Sequence, residues 1–376
     1  MDYISDKCKT VDASGIRSIW ALAESMTDPV NFTIGAPDFG PSAEVRQAAI
    51  DAIQNGYNSY TQSGGLDELK RAIASQFQAE FGWPQSHVLI SAGLSGALLL
   101  AFMSTLNDGD EVLIPDPYFL MYPQHVRYLG GRCVFIDTYP DFHLDPVRLR
   151  SAITERSKIL VLNSPANPTG MMNSDEQLQE IAETAREHQL LVISDEIYRE
   201  FSYDSVPVSI ARYYENTLVM RGFSKSYGVP GWRLGYVAAT DSLAELIDRM
   251  TTLQQYSFVC APHPFQRAAI KAMESDMSRE IARYKIKRDM IYEGLKDHFT
   301  MVKPEGAFYA FIEAPGGDAT AFVKEAIAKH DVLTIPGSVF SQQDTHFRLS
   351  FATNEEQIEK GIRRLSRLAQ AYMKKP

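Results

Sequence analysis

From about residue 42 to about residue 285 the chain alternates short apolar runs with stretches whose apolar residues recur at helical spacing. HVLI precedes GALLLAFMS, EVLIP precedes FLMYPQHVRYL, and KILVLN precedes DEQLQEIAETAREH, with CVFID, LLVISDE, TLVMRGF and RLGYVAA as further strand candidates. This alternation is the α/β pattern, and it restricts the fold more tightly than any single residue does. An amphipathic stretch from Pro262 to His298 is expected to lead into a smaller unit. That unit holds AFYAFIEA, a helix TAFVKEAIAKH, a strand DVLTIPG, the segment HFRLSFA and a terminal helix from Asn354. No internal repeat stands out.

The residues with chemical potential fall at the loops of this pattern. Lys225 lies in SKSYGVPGWRLGY (224–236), with Arg233 eight positions downstream. The string joins TLVM to RLGYVAA through Gly228, Pro230 and Gly231, which predicts a tight connection between two strands. An ammonium at the ends of buried strands loses hydration, its pKa falls, and the free amine can attack a carbonyl. The same segment also reads as a surface lysine beside a hairpin. NSPANPTG (163–170) follows KILVLN, and LLVISDEIYRE (190–200) ends an apolar run in Asp195 and Tyr198. Both sit at carboxyl ends of strand candidates, where open parallel sheets bind ligands. Together they describe a site for a ring with a basic nitrogen, a phenolic oxygen, an aldehyde and a phosphate, which is pyridoxal phosphate. Taken singly, Asp195 is equally a strand-end cap and Tyr198 an ordinary core aromatic.

A resemblance runs nearly end to end. IRSIWALAESMTDPVNFTIGAPDF (16–39), YTQSGGLDELKRAI (60–73), SAGLSGAL (91–98), PDPYFLMYP (115–123), NSPANPTG, SDEIY, FSKSYGVPGWRLGY, PEGAFYAF (304–311) and HFRLSFA (346–352) stand in the order and spacing of class I aminotransferases of fold type I. The chain resembles that family, in its aspartate and aromatic aminotransferase-like subgroup. The resemblance implies a three-layer α/β/α large domain with a mostly parallel sheet (42–285), a smaller α+β domain (286–376), and an N-terminal segment (1–41) packing with the small domain.

It also implies roles. Lys225 would carry the cofactor as a Schiff base and then move a proton at the substrate Cα. Asp195 would pair with the pyridine nitrogen, while Tyr198 and Asn167 would bond the phenolic oxygen. The amides of Leu94 and Ser95, at the start of a helix after HVLI, would receive the phosphate, joined by the hydroxyls of Ser95 and Ser224 and by Arg233. Many relatives carry serine where this chain has Gly222, which puts one hydroxyl contact in doubt. Phe119 matches the residue that stacks on the ring, although it also reads as core. Arg348 matches the α-carboxylate clamp, and Gly35, otherwise a plain turn glycine, would lend an amide nearby. Tyr60 would reach the phosphate of a neighbouring subunit, which implies a homodimer.

Composition excludes other classes. At 376 residues, 45% hydrophobic and 22% charged, the chain can bury a large core and is expected to form two domains. A net charge of −10 argues against a nucleic-acid or anionic-membrane role. Cys8, Cys133 and Cys260 are widely spaced, suggesting neither a disulfide framework nor a metal site, and they fit a reducing cytoplasm. No apolar leader or membrane span is expected.

The expected reaction is transfer of an amino group from an L-amino acid to a 2-oxo acid such as 2-oxoglutarate. The alternative on the same fold is a C–S β-lyase or related lyase. A pyridoxal-phosphate-binding transcriptional regulator would need a DNA-binding module before residue 16. A dehydrogenase would need a GxGxxG after its first strand. No second cation stands out to read a side-chain carboxylate, Arg17 being the one exception and otherwise a solvated helix residue. Aromatic or broad specificity is therefore expected.

Overall fold

A computed structural model describes residues 3–9, 11, 19, 26 and 28–373. Its centre is a seven-stranded sheet built from β2 (His87–Ala92), β3 (Glu111–Asp116), β4 (Arg132–Asp137), β5 (Ser157–Asn163), β6 (Leu191–Asp195), β7 (Thr217–Gly222) and β8 (Leu234–Ala239). The spatial order is β2-β8-β7-β6-β5-β3-β4. Strands β3 to β7 run parallel, and β8 runs antiparallel to both its neighbours. The inner strands β3, β5, β6, β7 and β8 are largely buried on both faces, as continuous apolar runs require, while the edge strand β4 is half-buried with exposed ends. On one face Leu89, Val112, Val161, Ile193 and Met220 pack against the helices Gly93–Thr105, Met121–Tyr128 and Ala244–Ser257. On the other face Ile90, Leu160, Val192 and Val219 meet helices that include Asp67–Phe81 and Asp175–Glu187. The result is a three-layer α/β/α arrangement.

Strand order reverses where β4 flanks β3 on one side and β5 on the other, and such a reversal opens a crevice at the carboxyl ends. Asp116, Asn163, Asp195 and Gly222 end their strands at that edge.

A second core surrounds an antiparallel sheet of β9 (Tyr309–Glu313), β11 (Ile335–Pro336) and β12 (His346–Ser350), in the order β11-β12-β9. Beside it β1 (Val30–Asn31) pairs in parallel with β10 (Val332–Leu333). The helix Glu355–Met373 covers this core with Ile358, Leu365, Leu368 and Ala369, a stripe at helical spacing. Its start is capped by Asn354, whose side chain accepts from the Gln357 amide at 2.9 Å.

The structure refines three sequence expectations. The stretch Pro262–His298 forms two helices, His263–Ala272 and Ser278–Leu295, because Asp276 accepts from the Ser278 amide at 2.9 Å and turns the chain between them. DVLTIPG divides at Thr334, with β10 pairing to β1 and β11 to β12. Arg233 lies outside β8, in the left-handed region at φ 52°, so its side chain leaves the sheet direction.

Candidate active site

The loop from β7 to β8 begins with one short helical turn, Phe223–Ser226, that carries Lys225. Gly228 follows at φ 64°, and a β-carbon there would overlap the Phe39 carbonyl. Glycine thus lets residues 33–40 close over the lysine. Lys225 Nζ donates to the Gly35 carbonyl at 2.5 Å. Burial is the main reason that its pKa falls to about 8, helped by the charges of Arg348 and Arg233 and opposed by Asp195.

Asp195 is buried at the end of β6. Its Oδ2 accepts from the Tyr122 hydroxyl at 2.7 Å and its Oδ1 from the Ile197 amide at 3.2 Å. Burial raises its pKa to about 6 despite these donors. Tyr198, three residues on and also buried, has its hydroxyl 3.0 Å from that of Tyr309. Burial pushes the Tyr198 phenol well above its ordinary value.

A chain of amide contacts then crosses to the second sheet. Asn163 Nδ2 donates to the Asp195 carbonyl at 2.9 Å, its Oδ1 accepts from the Asn167 amide at 2.8 Å, and Asn167 Oδ1 accepts from Arg348 Nη1 at 3.0 Å. Arg348 projects from β12 and is 1% exposed. Its Nη2 donates to the Thr33 carbonyl at 2.9 Å, and its plane lies between the rings of Tyr309 and Phe340, at 4.6 and 4.5 Å. Its buried Nε finds no partner among the described residues.

At the opposite end, the helix Gly93–Thr105 starts directly after β2 with no side-chain cap, leaving its first amides open. Arg233 folds over this end. A β-carbon on Gly93 would lie 2.6 Å from Arg233 Nη2, and Arg233 Nη1 donates to the Pro230 carbonyl at 3.0 Å. A β-carbon on Gly235 would come within 2.8 Å of the Leu94 amide nitrogen, so the bare backbone of β8 keeps this corner open. Gly222 has a packing reason as well: a β-carbon there would meet Ile197 Cδ1 and Leu94 Cδ1, each at 3.0 Å. No room exists for a serine without displacing those side chains.

One cavity of about 340 Å³ is lined by Leu94, Ser95, Phe119, Asn167, Asp195, Tyr198, Ser224, Lys225, Arg233, Arg348 and Gly35. The residues picked from sequence for one chain's own site thus converge. Gly35, expected to lend its amide, also presents its carbonyl to Lys225. Tyr60, expected to reach a neighbouring subunit, is 80% exposed and lies outside this lining. Arg17 lies outside the described residues. Sequence reading passed over Thr33, Tyr122, Asn163 and Tyr309, which also line the cavity. Each belongs to a motif quoted above, but nothing in spacing alone separates them from core. Among the described residues no cluster of His, Cys, Asp and Glu suits a metal ion, and no helix is long and apolar enough to cross a membrane.

Comparison with known proteins agrees with this geometry. Residues 27–365 match the family model for aminotransferase class I and II. A probable aspartate aminotransferase of Methanocaldococcus jannaschii is 36% identical, over 96% of this chain and 98% of that protein. An aromatic-amino-acid aminotransferase of Thermococcus litoralis is 33% identical, over 97% and 98%. The solved structure of a double mutant of Thermus thermophilus aspartate aminotransferase superposes with a TM-score of 0.92 at 33% identity, covering 98% of this chain and all of that one. With this match over most of its length and this fold, the chain belongs to the class I and II aminotransferases.

Proposed function

We propose that the cavity around Lys225 binds pyridoxal 5'-phosphate and moves the amino group of an L-amino acid to a 2-oxo acid. The observation that carries this reading is Lys225 itself, a buried amine with a pKa near 8 that shares one cavity with a carboxylate and two arginines. Members of this family use pyridoxal 5'-phosphate. The residues present fit it. The open helix start with Arg233 suits a dianionic phosphate, and the buried Asp195, whose pKa is raised by burial, suits a protonated ring nitrogen. When bound, the cofactor supplies an aldehyde that accepts the amino group and a ring that withdraws electrons from the substrate Cα.

The chain's own residues supply the rest. Lys225 Nζ, set free once the donor's amine replaces it at the cofactor aldehyde, would take the proton from Cα and deliver it two atoms along, at the former aldehyde carbon. Asp195, steadied by Tyr122, would keep a proton on the ring nitrogen. Tyr198 and Asn167 would bond the phenolic oxygen, and Phe119 would offer a face to the ring. The amides of Leu94 and Ser95, with Ser95, Ser224 and Arg233, would hold the phosphate. Arg348, pre-aimed by Asn167 and Thr33, receives the α-carboxylate as a planar fork, beside Gly35.

The cations lining the cavity are Lys225, Arg233 and Arg348, so that lining, among the described residues, holds no further one for a side-chain carboxylate. This supports aromatic or broad donors, in keeping with the name of the Thermococcus relative, while the Methanocaldococcus and Thermus names point to aspartate. A homodimer completes the proposal. Tyr57, Tyr60, Tyr256 and Val259 are exposed on neighbouring segments, tied where His263 Nδ1 lies 3.1 Å from the Ser59 carbonyl. An apolar face of this kind suits a second copy, with Tyr60 reaching its phosphate site. The division into residues 1–41, 42–285 and 286–376 and a cytoplasmic location are part of the same reading.

The test is the visible absorption of the cofactor-loaded protein, with amino acids added singly. Bleaching by a donor and recovery with 2-oxoglutarate establish transfer and rank donors together. A band that persists while ammonia or thiol is released overturns it in favour of lyase chemistry.

A further inference from the structure

Residues 33–36 line the cavity and touch two of its three cations through main-chain oxygens: Thr33 accepts from Arg348 at 2.9 Å, and Gly35 from Lys225 at 2.5 Å. What fixes this segment lies just beyond the cavity. Asp38 Oδ2 is 2.5 Å from Lys287 Nζ, its Oδ1 accepts from the Tyr284 hydroxyl at 2.6 Å, and its amide donates to the same hydroxyl at 2.9 Å. Lys287 is fully buried on the helix Ser278–Leu295, with its ammonium 4.7 Å from the Tyr284 ring centre. Phe39 adds an edge contact to Tyr284 at 5.9 Å.

A buried ammonium needs a counter-charge wherever it sits, so the pair has a structural role at least. Its position adds something. Only Ala36 and Pro37 separate Asp38 from Gly35, whose carbonyl holds Lys225, so a short stretch stiffened by proline links the two. On the aminotransferase reading above, we propose that Asp38, Lys287 and Tyr284 form a positioning clamp, which holds residues 33–36 so that their carbonyls set the approach of Lys225 and the aim of Arg348. None of the three touches reacting atoms. They act through the segment they hold.

The test uses the full chain carrying Asp38→Asn, Tyr284→Phe, or Asp38→Asn together with Lys287→Met. The double variant removes both charges, so no ammonium is stranded if the single variant fails to fold. Two quantities are read: KM and kcat for the amino donor, and the pH midpoint at which cofactor-free protein captures pyridoxal phosphate. KM is expected to rise about tenfold with kcat within about threefold, since the lost contact serves ground state and transition state alike. The capture midpoint should move to lower pH, because a loosened Gly35 carbonyl favours the ammonium less. Tyr284→Phe should move both in the same direction by a smaller factor. Folded variants with native KM and native midpoint overturn the clamp. A native protein that neither captures the cofactor nor consumes amino acids removes the functional reading, and the clamp falls with it.

Discussion

The Tyr122 hydroxyl donates a 2.7 Å hydrogen bond to Asp195, so the carboxylate proposed to face the ring is steadied from behind by a buried phenol. Tyr122→Phe removes a bond to a charged group, worth about 1.5–3 kcal/mol. Pyridoxal phosphate affinity should fall by roughly tenfold or more. The pKa of Asp195, already about 6 against an ordinary 3.8, should rise further. Because the folded value exceeds the unfolded one, the ionised group costs stability increasingly as pH rises through it. Without cofactor, the variant should therefore lose more stability than the native chain between about pH 5 and pH 7, as measured by urea unfolding.

Lys225→Ala should lower turnover by about 10⁴-fold or more while leaving the far-ultraviolet spectrum unchanged. Its stability should report the sign of the lysine's pKa. The folded value near 8 lies below the ordinary 10.5, so the cost of burying the ammonium is full below about pH 8 and fades as pH rises toward 10.5. The cofactor-free variant should be more stable than the native chain at neutral pH by about 1–3 kcal/mol, with the gap narrowing by about pH 10. A gap that widens with pH would contradict the assignment.

Arg348→Lys keeps the charge and loses the planar fork. An ammonium cannot bond Asn167 and Thr33 while also receiving a carboxylate in two parallel bonds. A fall in kcat/KM of roughly 100-fold is expected, chiefly through KM, whatever the donor's side chain. Steady-state kinetics with one aromatic and one acidic donor checks both the size and the indifference to side chain.

Gly235→Ala places a β-carbon 2.8 Å from the Leu94 amide nitrogen and Leu94 Cδ1. It should weaken binding of pyridoxal phosphate by about tenfold or more, but that of the phosphate-free aldehyde much less. Equal losses for the two ligands would mean that the amide is not part of the phosphate site.

The strand and helix alternation was legible because parallel strands are continuous apolar runs, and the convergence of Lys225, Asp195, Asn167 and Arg348 followed from their places at strand ends or in motifs. The division of DVLTIPG at Thr334 was not legible, since an apolar run looks the same whether it pairs with one partner or two. Nor was the break before Ser278, which depends on one aspartate side chain and not on periodicity. Tyr122 and Tyr309 escaped notice for a related reason: an aromatic in an apolar context becomes a site residue only when its hydroxyl meets a partner from far along the chain, here 73 and 111 residues away.

The five residues Val332–Pro336 have a mechanical consequence. Their first pair is registered with Val30 and Asn31, which lead into Thr33, and Ile335 is registered with Arg348. One extended rail therefore gauges the distance between the arginine and the carbonyl that aims it. A residue inserted within the rail would shift the pleat by one position and turn Arg348 and Thr33 out of step. Beyond Pro336 the chain turns through Gly337–Val339 to Phe340, whose buried ring lies 4.5 Å from the Arg348 guanidinium, so the rail and the turn that follows it hold the arginine from two sides.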